Sequence, residues 1–219
     1  MKAMPRRERL SYIAYYYGLW IAGALAVLVF LIWFAWHSAT AIRQNWLYAA
    51  FPNAMTRVGN ESRLWDDYLD YAGYDISKKN LEFNDELWFD PTKNSGMNNT
   101  YYQSFVALTE SGVLDVVTMR RQEIEALGKS GRLLDLSSEK AGDLFEAYKD
   151  RLVYSVPYDE SYSKDPVPVG IDVSDSILMT KYHLYEDSCV LAIGSYSRNL
   201  KEAVRFLDWI LGGKVKGTG

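Results

Sequence analysis

Ser111-Gly112-Val113-Leu114-Asp115-Val116-Val117-Thr118-Met119 leads into Ile124-Glu125-Ala126-Leu127 and then Ser130-Gly131-Arg132-Leu133-Leu134-Asp135-Leu136. The β-branched run Val113 to Met119 predicts a strand, because such side chains fit a pleated, half-buried surface. Gln122 to Lys129 predicts the helix that follows, and Gly131 closes it before the apolar step Arg132 to Leu136. A strand, a helix and a glycine turn in this order make one unit of an α/β fold.

The same alternation extends outward on both sides. Asn45 to Phe51 reads as a strand stopped by Pro52, and Leu81 to Phe89 as a second strand. Between them, Glu61 to Tyr71 predicts a helix with Leu64, Trp65, Tyr68 and Leu69 on one face, ending near Gly73. Asn99 to Glu110 predicts another, with Gly112 just beyond its end. Downstream, Lys140 to Arg151 reads as a helix, Leu152 to Pro157 as a short strand and Tyr158 to Pro168 as loop. Cys189 to Ile193 returns as a strand. Asn199 with Glu202 forms an Asn variant of a capping box for a helix burying Leu200, Ala203, Val204, Leu207, Ile210 and Leu211. The expectation is a single three-layer α/β domain over residues 43–213 with a largely parallel sheet, and a frayed tail at 214–219.

The N-terminal segment sets the address. From Leu10 to Ile42 there is no Asp, Glu, Lys or Arg, and Tyr17 to Trp36 is almost wholly apolar. Roughly 20 residues at ~1.5 Å rise span about 30 Å, the hydrocarbon thickness of a bilayer. Lys2, Arg6, Arg7 and Arg9 precede it, and Arg43 stands alone after it. The positive-inside tendency then predicts a cytoplasmic basic segment at 1–12, a transmembrane helix at 13–36 and an extracytoplasmic domain on the cell membrane. Tyr and Trp at both ends suit interfacial belts. A signal peptide cleaved after Ala41, at Ala39-Thr40-Ala41, is the alternative, although its apolar core is ordinarily about 7–15 residues.

Beyond residue 9 remain 20 Lys and Arg against 27 Asp and Glu, the chain totals of 24 and 28 less the four and one in the leader. A net charge of −7 excludes nucleic acid as a partner, since phosphates repel it. The lone Cys189 lies in the apolar run Cys189-Val190-Leu191-Ala192-Ile193, which predicts an inert buried thiol and a fold standing on its core.

With these segments in place, the run from Ser111 to Leu136 resembles the extracellular solute-binding proteins of bacterial ABC importers. In their carbohydrate-binding branch a glycine and an aspartate introduce a strand, followed by a helix, a glycine turn and a leucine-aspartate-leucine step. Ala192-Ile193 through Ser197-Arg198-Asn199-Leu200-Lys201-Glu202-Ala203-Val204-Arg205-Phe206-Leu207-Asp208-Trp209-Ile210 is also similar to that family, where a strand returns to the first lobe ahead of such a helix. The resemblance covers most of residues 45–211. It departs in length: such proteins close two lobes on their ligand, whereas Arg151 to Val169, where the second lobe would be inserted, has fewer than ~20 loop-like residues. The usual lipoprotein cysteine is replaced by an apolar helix. The resemblance therefore implies a lone first lobe, binding a sugar or other small solute weakly, or serving as an accessory subunit beside a membrane-protein partner or a second copy of itself.

Catalysis has little footing in the sequence. The two histidines, His37 and His183, sit at the membrane edge and in an amphipathic stretch. No Ser/His/Asp order, zinc spacing or phosphate-cradling loop is present. Asp90 to Tyr101 lacks the glycine and glutamate of a calcium loop. The chain is read as non-enzymatic, without metal or cofactor; an enzymatic reading would rest on Asp115 or Asp172. For binding, the carboxyl ends of parallel strands are the expected place. That singles out Trp88 and Asp90 after the second strand and Thr118 and Met119 after the third, as rings to stack on sugar faces and acceptors for hydroxyls. Asp172 and Ser174, in Val167-Pro168-Val169-Gly170-Ile171-Asp172-Val173-Ser174-Asp175-Ser176, join them as a shaped turn at the domain's edge. An Asx-turn ahead of a helix near Ile177 is the alternative.

Overall fold

The computed structural model describes residues 6–41, 45–93, 99–159 and 161–212. It divides into two units, Met1–Gln44 and Asn45–Gly219. The first is a single helix, α1 (Arg6–Ala41), longer at both ends than the 13–36 expected. Its Tyr17–Ala35 stretch is 19 residues of mean hydropathy 2.4, long and apolar enough to cross a bilayer. It is apolar on every side, with no stripe that would seat it on a soluble core. A membrane anchor and a signal sequence both fit such a helix.

The second unit is a mixed α/β domain built on one six-stranded sheet. The strands are β1 (Asn45–Ala50), β2 (Asn80–Asn84), β3 (Val116–Met119), β4 (Leu152–Ser155), β5 (Val167–Asp172) and β6 (Val190–Ile193), in the order β2-β1-β3-β6-β5-β4. The helices are α2 (Arg63–Ala72), α3 (Thr100–Glu110), α4 (Arg121–Gly128), α5 (Leu144–Ala147), α6 (Ile177–Thr180) and α7 (Leu200–Ile210). Only β2, β1 and β3 pair in parallel; β6, β5 and β4 pair antiparallel, so the largely parallel sheet expected from the sequence is corrected to a mixed one. The physical reason is connection length. β4 and β5 are joined by a hairpin with no crossover helix, and a hairpin imposes antiparallel pairing.

Local chemistry accounts for most boundaries. Ser62 accepts the Trp65 N–H to open α2, and Gly73, left-handed at φ 62°, ends it. Asn99 accepts the Tyr101 N–H to open α3. Three readings change. β2 stops at Asn84, not Phe89, because the Asp85 carboxylate turns away to accept the N–H groups of Val58 and Gly59. The helix expected over Lys140–Arg151 is broken into 3-10 turns at Glu139–Ala141 and Lys149–Arg151 flanking the short α5, with Gly142 at φ 58° between them. Val167 and Pro168, read as loop and turn, belong to β5, which runs in mid-sheet.

Adjacent residues of β1 alternate between two buried clusters. Leu47, Ala49 and Phe51 pack with Tyr68 of α2 and Phe206 of α7; Tyr48 and Ala50 pack with Phe105 of α3 and Ile124 of α4. The Tyr68 ring meets Phe206 edge-on at 5.0 Å, and Phe83 meets Phe206 at 5.6 Å. Both clusters are built from residues of the second unit, so the domain carries its own core. Cys189 is fully buried in the first cluster, where burial pushes its thiol pKa well up and keeps it unreactive.

Asp115 is the most deeply buried carboxylate described. It accepts the Tyr48 N–H at 2.9 Å, the Ser197 hydroxyl at 2.6 Å and the Asn199 amide at 3.1 Å. Asn199 is thereby drawn away from the cap expected of it and makes no side-chain capping bond to α7. Glu202 instead accepts the Tyr74 hydroxyl. Burial raises the Asp115 pKa above the ordinary carboxylate range, against the pull of its three donors. It is a structural clamp joining β1, β3 and the start of α7.

Candidate functional site

The parallel strands β1, β2 and β3 end on one rim of the sheet, and the chain leaves β1 and β3 there in opposite directions, toward β2 and toward β6. Such a switch point leaves a crevice in open α/β sheets. Pro52 ends β1, and Asn53 follows in the left-handed region at φ 58°, which Asn tolerates better than most residues. Its side chain accepts the Phe89 N–H at 3.1 Å and donates to Phe89 O at 2.7 Å and Glu123 Oε1 at 3.0 Å. Asn53 thus ties the loop after β2 to the first turn of α4.

Glu123 is only 2 % exposed. It accepts the Arg120 backbone N–H at 3.1 Å and the Arg120 guanidinium at 2.7 Å. Its place in the first turn of α4 also sets it against the positive end of the helix. Arg120 leaves part of its guanidinium in solvent, and Glu123 raises its pKa further. Beneath, the buried Tyr185 hydroxyl donates to Thr118 O at 2.5 Å and reaches Pro52 O at 3.2 Å, pinning the ends of β1 and β3 together.

Three small clefts lie along this rim. One of about 460 Å³ is lined by Met55, Arg57, Asp85, Glu86, Trp88 and Tyr101. A second, about 300 Å³, lies among Asn53, Met55, Arg120, Tyr185 and Glu186. The third, about 210 Å³, includes Asp90, Lys93, Arg120, Asp187 and Ser188. Met55 lines both the first and the second, and Arg120 both the second and the third, so the three clefts adjoin along one groove-like rim.

Trp88, 52 % exposed, and Asp90 therefore line the groove, in different clefts. Asp90 pairs with Lys93 at 2.8 Å and accepts the Thr92 hydroxyl at 2.5 Å, and these partners lower its pKa to about 2. The calcium-loop segment beginning there runs into residues outside the description. Thr118 and Met119 lie at the strand end but are fully buried, so they offer no accessible side chain. Asp172 is engaged by Arg121 at 2.5 Å and by the Ser174 N–H at 2.9 Å. Burial opposes its charge, yet these bonds win and lower its pKa. Ser174 exchanges hydrogen bonds with the Cys189 backbone. Asp172 and Ser174 thus form an Asx-turn ahead of α6 at Ile177.

Asn53, Arg120 and Glu123 carry the rim, and little in the sequence singles them out. The signal available was Pro52-Asn53 after an apolar strand, a dipeptide suited to a sharp exit, and a Glu three residues after Arg120 at a helix start. Chemically, the groove presents a guanidinium, an indole, a phenol and several carboxylates. That set can hold a polar solute by hydrogen bonds and ring stacking. Among the described residues no group of three or more His, Cys, Asp or Glu is placed to hold a metal ion.

What the fold defines is a mixed α/β domain with a rim groove, preceded by one apolar helix. No protein family, no curated protein and no solved structure matches the chain.

Proposed function

We propose that this chain is a membrane-anchored, extracytoplasmic, non-enzymatic binding module of the solute-binding kind, holding a small polar solute weakly or acting as an accessory subunit beside a membrane complex. The observation that carries this reading is the row of adjoining clefts at the carboxyl ends of β1, β2 and β3, with Trp88 and Arg120 exposed along it. The return of β6 beside β3, followed at once by α7, supports the likeness to one lobe of a solute-binding protein. So does the division of the buried residues, with α2 and α7 sharing one cluster and α3 and α4 the other. In this reading α1 is the anchor, its basic end stays in the cytoplasm, and the domain lies outside. A groove open on one side buries only part of a solute, which accounts for weak affinity.

A sugar-binding component of an importer is the second reading, favoured by the indole of Trp88 beside Asp85 and Glu86 in one cleft. Thermal unfolding of the isolated domain, residues 45–219, against sugars, oligosaccharides and amino acids separates the two. A solute at 100 times its dissociation constant adds about 2.7 kcal/mol. For a domain this size that raises the midpoint by roughly 5–10 °C. A sugar-specific rise supports the importer reading; a rise with another solute class supports a receptor of different ligand. No rise across the panel removes solute binding and leaves the accessory role.

A further inference from the structure

The antiparallel half of the sheet ends on an edge. β4 pairs with β5 alone, so among the described residues its outer backbone has no strand beside it. The run Leu152-Val153-Tyr154-Ser155-Val156-Pro157-Tyr158 contains no charged residue. From Val153 onward its burial alternates strictly, beyond the strand itself and as far as Tyr158. Val153 shares a buried cluster with Ile124 and Leu127 of α4, the Ser155 hydroxyl donates to Glu125 O at 2.6 Å, and Pro157 is buried. Tyr154, Val156 and Tyr158, between and beyond them, are 45, 48 and 69 % exposed. One side of the strip is thus seated on α4, and the other offers two phenol rings and an isopropyl group to solvent.

The opposite edge of the sheet is built differently. β2 follows Lys78 and Lys79, carries Glu82 and leads into Asp85. Charges of that kind keep an edge strand from pairing with other chains. The β4 strip has none, and an uncharged apolar edge is where another chain can add.

Charge and register identify that chain. Beyond residue 9 the net charge is −7, so two copies repel over most of their surfaces and can meet only where charge is absent. The strip is also complementary to itself. In antiparallel pairing about a two-fold axis at Ser155, Tyr154 faces Val156 of the other copy, Leu152 faces Tyr158, and Val153 faces Pro157. Exposed residues then meet exposed ones and buried meet buried, and an aromatic ring opposite a β-branched side chain is a favoured cross-strand pair. Just past the strip, Arg151 falls opposite Asp159 of the other copy, its guanidinium part-exposed while it holds Asp175.

We propose that β4 joins two copies of this chain edge to edge in this register, so that the sheet continues across a two-fold axis. Pro157 has no N–H to give and limits the pairing to a short stretch, which makes the interface small and the association weak. This surface is independent of the rim clefts and of the reading built on them.

The test is cysteine cross-linking of full-length chains, Tyr154→Cys in one and Val156→Cys in a second of different tag length, oxidised in whole cells with copper phenanthroline. Both positions are exposed, and an unchanged thermal midpoint of each isolated domain checks that the fold is kept. Directly opposed residues lie about 4.5–5.5 Å apart between Cα atoms, within disulfide reach, whereas like positions lie on the diagonal at about 7–8 Å and are out of reach. Co-expression should therefore give a covalent dimer of one long-tagged and one short-tagged chain, while either variant alone gives little. The buried Cys189 does not contribute. Equal dimer from either variant alone marks chance encounter and overturns the register. Absence of dimer from the pair overturns the interface, and adducts of other mass in its place show that a different protein covers the edge and overturn the second copy.

Discussion

Asn53 and Glu123, 70 residues apart in the chain, meet at 3.0 Å beneath the rim, one a left-handed turn residue and the other a buried carboxylate. Glu123 holds Arg120 on its other side, so a single carboxylate fixes both the exit from β1 and the guanidinium that faces the groove. Glu123→Gln should therefore lose about 1–3 kcal/mol in urea unfolding. At Asn53, Ala should be worse than Gly by roughly 1 kcal/mol, because both lose the side-chain bonds and only Ala is strained at φ 58°. Equal losses for the two would show that the backbone conformation there carries no cost.

Two carboxylates should give opposite pH dependences. The Asp115 pKa is raised in the folded state, so its contribution is fully present below the unfolded value of about 3.9 and is lost as pH rises through the folded value. Measured against Asp115→Asn, the native domain should lose relative stability as pH rises from about 4 toward neutrality. Asp115→Ala, which leaves Tyr48 N–H and Ser197 unpaired, should cost at least about 2 kcal/mol at every pH.

Asp172 runs the other way. Its pKa is lowered when folded, so its contribution is present above about 3.9 and is lost as pH falls through the folded value. Asp172→Asn should be most destabilising at neutral pH and approach the native domain in acid. Unfolding curves collected at several pH values settle both signs.

Gly112 and Gly131 share nearly the same left-handed backbone, φ 70° and 69°, in different surroundings. A Cβ at Gly131 meets nothing within 4 Å, while one at Gly112 lies 2.7 Å from Tyr196 O. Gly131→Ala should cost roughly 1–2 kcal/mol of backbone strain. Gly112→Ala should cost clearly more, read as a lower thermal midpoint than that of Gly131→Ala.

Trp88 is half-exposed, and its side chain lines the groove without closing the core. Trp88→Ala should change stability by no more than about 0.5 kcal/mol. It should still abolish or sharply reduce the midpoint rise given by any solute that binds the rim.

Where a single residue's local chemistry settles an element, the sequence was a good guide: Gly73 ends α2, and Asn99 opens α3. It misled where distant partners compete. Asn199 has the pattern of a helix cap, but a carboxylate 84 positions away claims its amide. Pro168 argued against an interior strand, yet it sits where β5 is irregularly paired with β4, and β6 reaches β5 only at Ile171 and Asp172. Leu136 N–H takes the Pro168 carbonyl instead. At the rim, Thr118 and Met119 were placed at the correct strand end, but Thr118 is covered by Tyr185, 67 residues further on, and Met119 by a separate buried cluster. Spacing along the chain does not encode that lid of packing.

β6 lies between β3 and β5, although it comes last of the six strands in the chain. Until residues 190–193 emerge, the parallel half and the hairpin half of the sheet have no strand to join them, and the donors from Ser197 and Asn199 have not reached Asp115. A growing chain cannot complete this domain piecemeal from its N-terminus. It stays open until residues 190–199 have been made, and a chain ending before Val190 should be recognised by proteases as unfinished.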